Sequence, residues 1–144
     1  MIRIALASLV LTTACTARSP FGSAVIEVDG RPLTVETAYT REARAQGVMG
    51  KDGLTDEQGV LFLYPDSANR SFWMKTVTFA LDIAFIRSDG TIARIAQMQP
   101  YVTAGTPSLQ PVQYALEMRE GWFADHDVEV GDKVTGIPEV EAEP

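Results

Sequence analysis

Five polar or aromatic side chains, spread over three segments, have the types expected of a small-molecule binding site. Arg70 and Lys75 flank an aromatic run that includes Trp73, Asp82 follows after a six-residue connection, and Glu117 lies in the later alternating segment 112–118. Cations beside aromatic rings bind ligands through stacking and ion pairing. We therefore predict one site for a small polar or anionic ligand, formed by Arg70, Trp73, Lys75, Asp82 and Glu117.

Two other interpretations of these residues stay open. Lys75 and Asp82 bracket their connection, so they could pair across its mouth and stabilise the loop, with Trp73 covering the core. Asp82 and Glu117 could instead be the paired carboxylates of an envelope hydrolase acting on glycan or peptide, which requires two acids with separated pKa values. We expect a non-catalytic binding or accessory domain and assign no catalytic residue; a purely structural or interaction domain is the third possibility.

Composition excludes several classes of function. The chain has 144 residues, enough for one globular domain, and a net charge of −7, so we expect no nucleic-acid partner. A single cysteine excludes an internal disulfide, and a single histidine excludes a metal site built from histidines alone. The motifs typical of nucleotide cofactors, zinc proteases and thiol redox proteins do not occur in the sequence. We therefore predict neither a cofactor nor a metal.

The first residues resemble a bacterial export signal. Arg3 is followed by an uncharged run from Ile4 to Ala14 that is too short to span a bilayer, which takes about 20 apolar residues. The run ends at Cys15 as a lipoprotein signal does, although Thr12 stands where leucine is usual. We predict that residues 1–14 are a signal peptide cleaved before Cys15, which is then lipidated.

Two alternatives for this segment are a plain secretory signal cleaved near Ala14 or Ala17 and an uncleaved cytoplasmic start. If Cys15 is lipidated, its acyl chains hold the protein on a membrane. We expect an exported cell-envelope protein, anchored through its lipid and facing the periplasm or the exterior. Its expected partners are the membrane and either a small molecule or an envelope protein.

The remaining residues must position the candidate site, and their pattern is mainly β. Residues 15–24 are small and polar and predict a tether, residues 25–137 a single domain, and the acidic segment 138–144 a disordered tail. A short helix is predicted from the cap Thr40 to Gly47, and one helical turn at 121–125. Apolar runs separated by turn residues predict strands at 25–28, 33–37, 59–64, 71–74, 81–86, 91–95, 112–118 and on both sides of Gly131.

Short strands with one or two short helices favour a small, closed or half-closed β-barrel-like domain. Segment 97–111 holds three prolines without hydrophobic periodicity, so we predict a long irregular loop there, of the kind that often carries function.

Several short motifs follow one another in a specific order between residues 33 and 136. They are EARAQGVM at 42–49, GVLF at 59–62, FWMK at 72–75, LDI at 81–83, YALE at 114–117, Gly121 and Gly131-Asp132. In this order and spacing the chain resembles the domain of unknown function 192 family (DUF192), which is uncharacterised. The resemblance implies a compact, mostly β domain, frequently exported or lipid-anchored in bacteria. It implies no activity and no catalytic residue. The chain departs from the family's usual residues at three positions, with Thr76, Val77 and Ala80 where Asn, Thr and Pro are usual.

Overall fold

A computed structural model describes residues 19–144, and the predictions for the signal peptide and Cys15 lie outside these residues. Neither helix in this range is long and apolar enough to cross a membrane. The elements are β1 (Gly22–Val28), β2 (Arg31–Ala38), α1 (Arg41–Gln46), β3 (Gly59–Ala68), β4 (Ser71–Phe72), β5 (Leu81–Ile86), β6 (Ile92–Met98), β7 (Thr106–Pro107), β8 (Val112–Arg119), α2 (Trp122–Asp125) and β9 (Val134–Thr135).

Seven strands form one curled sheet in the order β6-β5-β8-β3-β2-β1-β9. Neighbouring strands are antiparallel except β2 and β3, which are parallel and joined by a crossover containing α1. The first and last strands of the sheet meet at one end, where the Ile92 amide donates to the Asp132 carbonyl (2.9 Å) and the Val134 amide to the Gly90 carbonyl (2.8 Å). The prediction of a mainly β, half-closed barrel is confirmed.

Each face of the curled sheet carries its own apolar core, because side chains alternate between the two faces of a strand. The inner core includes Leu61 and Leu116 and is covered by Trp122 and Phe123 of α2. The outer core includes Phe62 and is covered by α1 and by side chains from the loops that follow. Burial on both faces explains why β5 and the start of β3 read as continuous apolar runs rather than as alternating ones.

The local signals for the first hairpin and the first helix are confirmed. Asp29 and Gly30 both have positive φ values (48° and 76°), as the tight turn between β1 and β2 requires. The Thr40 hydroxyl accepts the Ala43 amide at 3.1 Å and caps α1. Gly47 ends the helix at φ 48°, and a Cβ there would lie 3.2 Å from the Phe62 ring.

The first two residues of the predicted loop 97–111 belong to β6, and the rest of the segment is paired along its length with the segment that carries the FWMK motif. Strand β7 pairs with β4 in a separate two-stranded sheet. The Ser108 amide donates to the Arg70 carbonyl (2.8 Å), the Met74 amide to the Val102 carbonyl (3.0 Å) and the Tyr101 amide to the Val77 carbonyl (3.2 Å). Residues 70–80 and 99–111 therefore form one covering layer over the outer core.

The C-terminal segment differs from the disorder predicted for 138–144. Ala142 is buried against the inner core, and the Glu143 amide donates to the Tyr39 carbonyl at 2.9 Å. The Glu143 carboxylate accepts the Arg41 amide at 2.8 Å, at the start of α1, where the helix dipole favours a negative charge. Composition revealed the acidity of this segment but not the backbone groups that it meets.

Candidate functional site

A pocket of about 200 Å³ opens on the outer face of the sheet, between α1 with its following turn and the covering layer. Trp73, Lys75 and Glu117, three of the five predicted site residues, line it. The other lining residues are Arg44, Ala45, Gln46, Gly47, Val48, Met49, Phe62, Tyr64, Ser71, Phe72, Thr76 and Val77.

Glu117 lies at the base of the pocket because of its register in the sheet. It pairs with Val60 on one side and with Ile83 on the other, and both of these residues belong to the outer core. Its side chain therefore leaves β8 on the outer face, and the residue is only 4% exposed.

The Glu117 carboxyl group is buried, and one of its two oxygens lacks the hydrogen bond that would offset the loss of water. Its Oε2 has no hydrogen-bond partner among residues 19–144, and burial raises the pKa of Glu117 to about 8. At neutral pH the carboxyl is therefore mostly protonated. Buried polar groups are normally hydrogen-bonded, and a perturbed carboxyl in a pocket is a candidate functional group.

Aromatic rings form the walls of the pocket. Phe62 and Phe72 meet edge to face with ring centroids 4.9 Å apart. The Tyr64 ring lies between two guanidinium groups, with Arg70 at 3.9 Å and Arg44 at 5.0 Å from its centroid, and burial raises the pKa of its hydroxyl. Trp73 lines the pocket as well and is 65% exposed.

Two cations lie at the mouth of the pocket. Lys75 is exposed, and it has no ion-pair partner in the described part of the chain. Arg44 donates to the carbonyls of Tyr39 (2.8 Å), Leu63 (3.1 Å) and Glu143 (2.6 Å). These acceptors are neutral, and the ion pairs found within residues 19–144 include none of Arg44 with a carboxylate.

Two predicted site residues lie elsewhere. Arg70 packs on the outer side of Tyr64, and its Nη2 donates to the Asp66 carboxylate at 2.8 Å rather than lining the pocket. Asp82 is paired with Met118, an inner-core residue, and therefore leaves β5 on the inner face. There its Oδ2 accepts the Gly121 amide at 2.9 Å, and burial raises its pKa.

The position of Asp82 bears on both alternative interpretations. Asp82 and Glu117 lie on opposite faces of the sheet, so they are not brought together as a carboxylate pair. The ion pairs found among residues 19–144 do not include one between Lys75 and Asp82. The geometry supports neither the paired hydrolase nor the loop-closing ion pair.

Sequence reasoning missed Arg44 and Tyr64 as pocket residues. Both come from elements distant from the FWMK motif, and no spacing signal joins them to it.

The structure places His126 in an ionic cluster. Its Nδ1 is 2.7 Å from the Trp122 carbonyl and its Nε2 is 3.2 Å from the Asp56 carboxylate. Arg119 bridges Asp56 and Asp125 in the same cluster, with Nη1 2.9 Å from Asp125. Among residues 19–144, no group of three or more metal-binding side chains is found.

Comparison with known proteins identifies similar chains of known structure. The family model described as "DUF192: Uncharacterized ACR, COG1430" matches residues 24–136. A crystal structure from Sinorhizobium meliloti 1021, provisionally described as a transcription regulator, is 31% identical, with a TM-score of 0.78 over 83% of this chain and 98% of that one. A protein of unknown function from Novosphingobium aromaticivorans DSM 12444 is 30% identical, with a TM-score of 0.68 over 85% and 93%. No curated protein matches the chain.

Proposed function

The chain belongs to the DUF192 family, and because this uncharacterised family assigns no activity, we propose a function from the pocket itself. The protein is a non-catalytic domain of the bacterial cell envelope that binds a small polar ligand carrying an anionic group. The observation that carries the proposal is the Glu117 carboxyl, which lies at the base of an open pocket and whose Oε2 has no hydrogen-bond partner among residues 19–144.

The walls of the pocket support binding rather than chemistry. A preformed cavity with aromatic walls and a few polar groups at its ends is typical of ligand sites. A glycoside hydrolase needs a second carboxylate facing the first, whereas Asp82 is on the other face of the sheet. The cations Arg44 and Lys75 at the mouth favour an anionic group on the ligand.

The envelope location in this proposal is supported by the sequence of residues 1–15. Fatty-acid labelling of cells tests it directly: we expect label on the wild type and none on a Cys15→Ser variant. Equal labelling of both proteins, or of neither, contradicts the lipid anchor.

Binding in the pocket can be followed through the two indole groups of the described chain. Trp73 lines the pocket, whereas Trp122 is buried in the inner core and serves as an internal control. We expect some members of a set of small polar compounds to shift the Trp73 indole NMR signal and not that of Trp122. The Glu117→Gln variant should lose this response, while Asp82→Asn, on the other face, should keep it. A set without effect on Trp73 contradicts the proposal.

The provisional description of the S. meliloti protein does not lead us to propose DNA binding here. DNA affinity depends largely on cations that neutralise phosphates, and this chain has a net charge of −7.

A further inference from the structure

The pocket has an acidic carboxyl group at its base and two cations at its mouth. From this arrangement we infer that its ligand is a zwitterion, with an ammonium group that pairs with Glu117 at the base and a carboxylate that meets Lys75 and Arg44 at the mouth. The inference rests on the proposed binding function and names the chemical class of the ligand.

The base of the pocket needs a cationic donor from outside the protein. The titratable and charged groups that line the pocket are Arg44, Tyr64, Lys75 and Glu117. Burial raises the pKa of Glu117, and the ion pairs among residues 19–144 include none that would compensate an ionised carboxylate there. An ammonium group would donate to the unpartnered Oε2 and cancel the buried charge, which is costly when left unpaired.

The aromatic walls favour the same group. Phe62 and Phe72 line the pocket together with Glu117, and rings of this kind attract cations. A neutral hydroxyl would use the hydrogen-bonding capacity of the carboxyl but would gain nothing from the rings.

The mouth of the pocket requires the opposite charge. Lys75 has no ion-pair partner among residues 19–144, and the donors of Arg44 that are engaged meet only neutral carbonyls. A ligand with only an ammonium group would be repelled by these two cations on entry. A carboxylate at its other end removes this repulsion and adds a charge-assisted contact.

Binding of such a ligand has a proton signature. In the free protein at pH 7 the Glu117 carboxyl is mostly protonated, and it must lose its O–H proton to pair with an ammonium group that already carries its own protons. The proton goes to the buffer. Since a group one unit below its pKa is about 90% protonated, we expect about 0.9 proton released per ligand bound. A simple carboxylate that binds Lys75 and Arg44 at the mouth leaves the Glu117 proton in place, so its binding releases none.

Titration calorimetry at pH 7, in two buffers of different ionisation enthalpy, measures this release. The probes are γ-aminobutyrate, which carries both charges, and its single-charge relatives butyrate and butylamine. We expect γ-aminobutyrate to bind at least about tenfold more tightly than either relative, and to release a proton.

Variants test which side chain of the protein binds each end of the ligand. Glu117→Gln keeps the side-chain shape without the charge. In this variant γ-aminobutyrate should bind at least about tenfold more weakly than in the wild type and release no proton. Butyrate binding should stay unchanged. Lys75→Gln should weaken the binding of γ-aminobutyrate and of butyrate but not that of butylamine. Lys51→Gln is the matched control, since Lys51 pairs with Glu36 outside this pocket, and should change nothing.

Three results would overturn the inference. Butyrate binding as tightly as γ-aminobutyrate, without proton release, identifies an anionic ligand and leaves the binding function intact. Failure of all three probes, while other polar compounds still shift the Trp73 signal, also rejects the zwitterion alone. Failure of every compound to shift Trp73 rejects both the zwitterion and the proposed function.

Discussion

Asp82 and Glu117 are buried acids on neighbouring strands, yet their side chains leave the sheet on opposite faces. Asp82 accepts the Gly121 amide and so holds the turn between β8 and α2. Glu117 has an oxygen without any partner among residues 19–144 and faces an open pocket. Burial raises the pKa of both, so burial alone does not distinguish a structural acid from a functional one. The missing partner distinguishes them.

The largest expected effect is on the pH dependence of stability. Between the unfolded pKa of 4.5 and the folded pKa of about 8, Glu117 keeps its proton in the folded state but loses it in the unfolded state. The free energy of unfolding should therefore fall as pH rises through this window, by roughly 3–5 kcal/mol at 1.4 kcal/mol per unit.

Urea unfolding of the wild type and Glu117→Gln between pH 4 and 9 measures this fall. Asp82 contributes in the same direction, so the difference between the two proteins isolates Glu117. Parallel pH profiles would mean that Glu117 is paired or hydrated in solution.

The second effect concerns the structural acid. Asp82→Ala leaves the Gly121 amide without its acceptor in a part-buried site, and should cost roughly 1–3 kcal/mol of unfolding free energy. Asp82→Asn keeps an acceptor oxygen and should cost less. The ligand response of Trp73 should survive in Asp82→Asn. An Asp82→Ala protein with unchanged stability would place Asp82 among the functional groups instead.

The smallest effect is expected in the exposed ionic cluster near α2. The hydrogen bond from Arg119 lowers the pKa of Asp56, with a further contribution from His126. The stability from Asp56 is present above its unfolded pKa of 3.8 and is lost as pH falls through the lower folded value. Asp56→Asn should lower the melting temperature at pH 7 by less than Asp82→Ala does. A difference from wild type that persists fully at pH 2 would show that the Asp56 charge is not responsible.

Local patterns predicted much of the fold. The turn between the strands predicted at 25–28 and 33–37, the Thr40 cap and the apolar run of β5 each depend on neighbouring residues, and each was found as predicted. The tail predicted at 138–144 makes contacts that no local pattern indicates, because Glu143 meets backbone groups of residues about one hundred positions earlier in the chain.

The candidate site was only partly predictable, because some of its residues are brought together by contacts between distant parts of the chain. Trp73 and Lys75 share a short motif, so their proximity is a local property. The face on which Asp82 lies relative to Glu117 depends on the register between β5 and β8, which no local pattern specifies. Arg44 and Tyr64 reach the pocket through the crossover between β2 and β3, a long-range feature.

The most direct test of the role of Glu117 is a carbon-13 NMR titration of its side-chain carboxyl in the ligand-free protein. Assignment comes from the signal that is missing in Glu117→Gln. We expect a midpoint near pH 8, because the carboxyl is buried and its Oε2 has no hydrogen-bond partner among residues 19–144. A midpoint near the ordinary value of 4.5 would show a hydrated or paired carboxylate and would contradict its availability to a ligand.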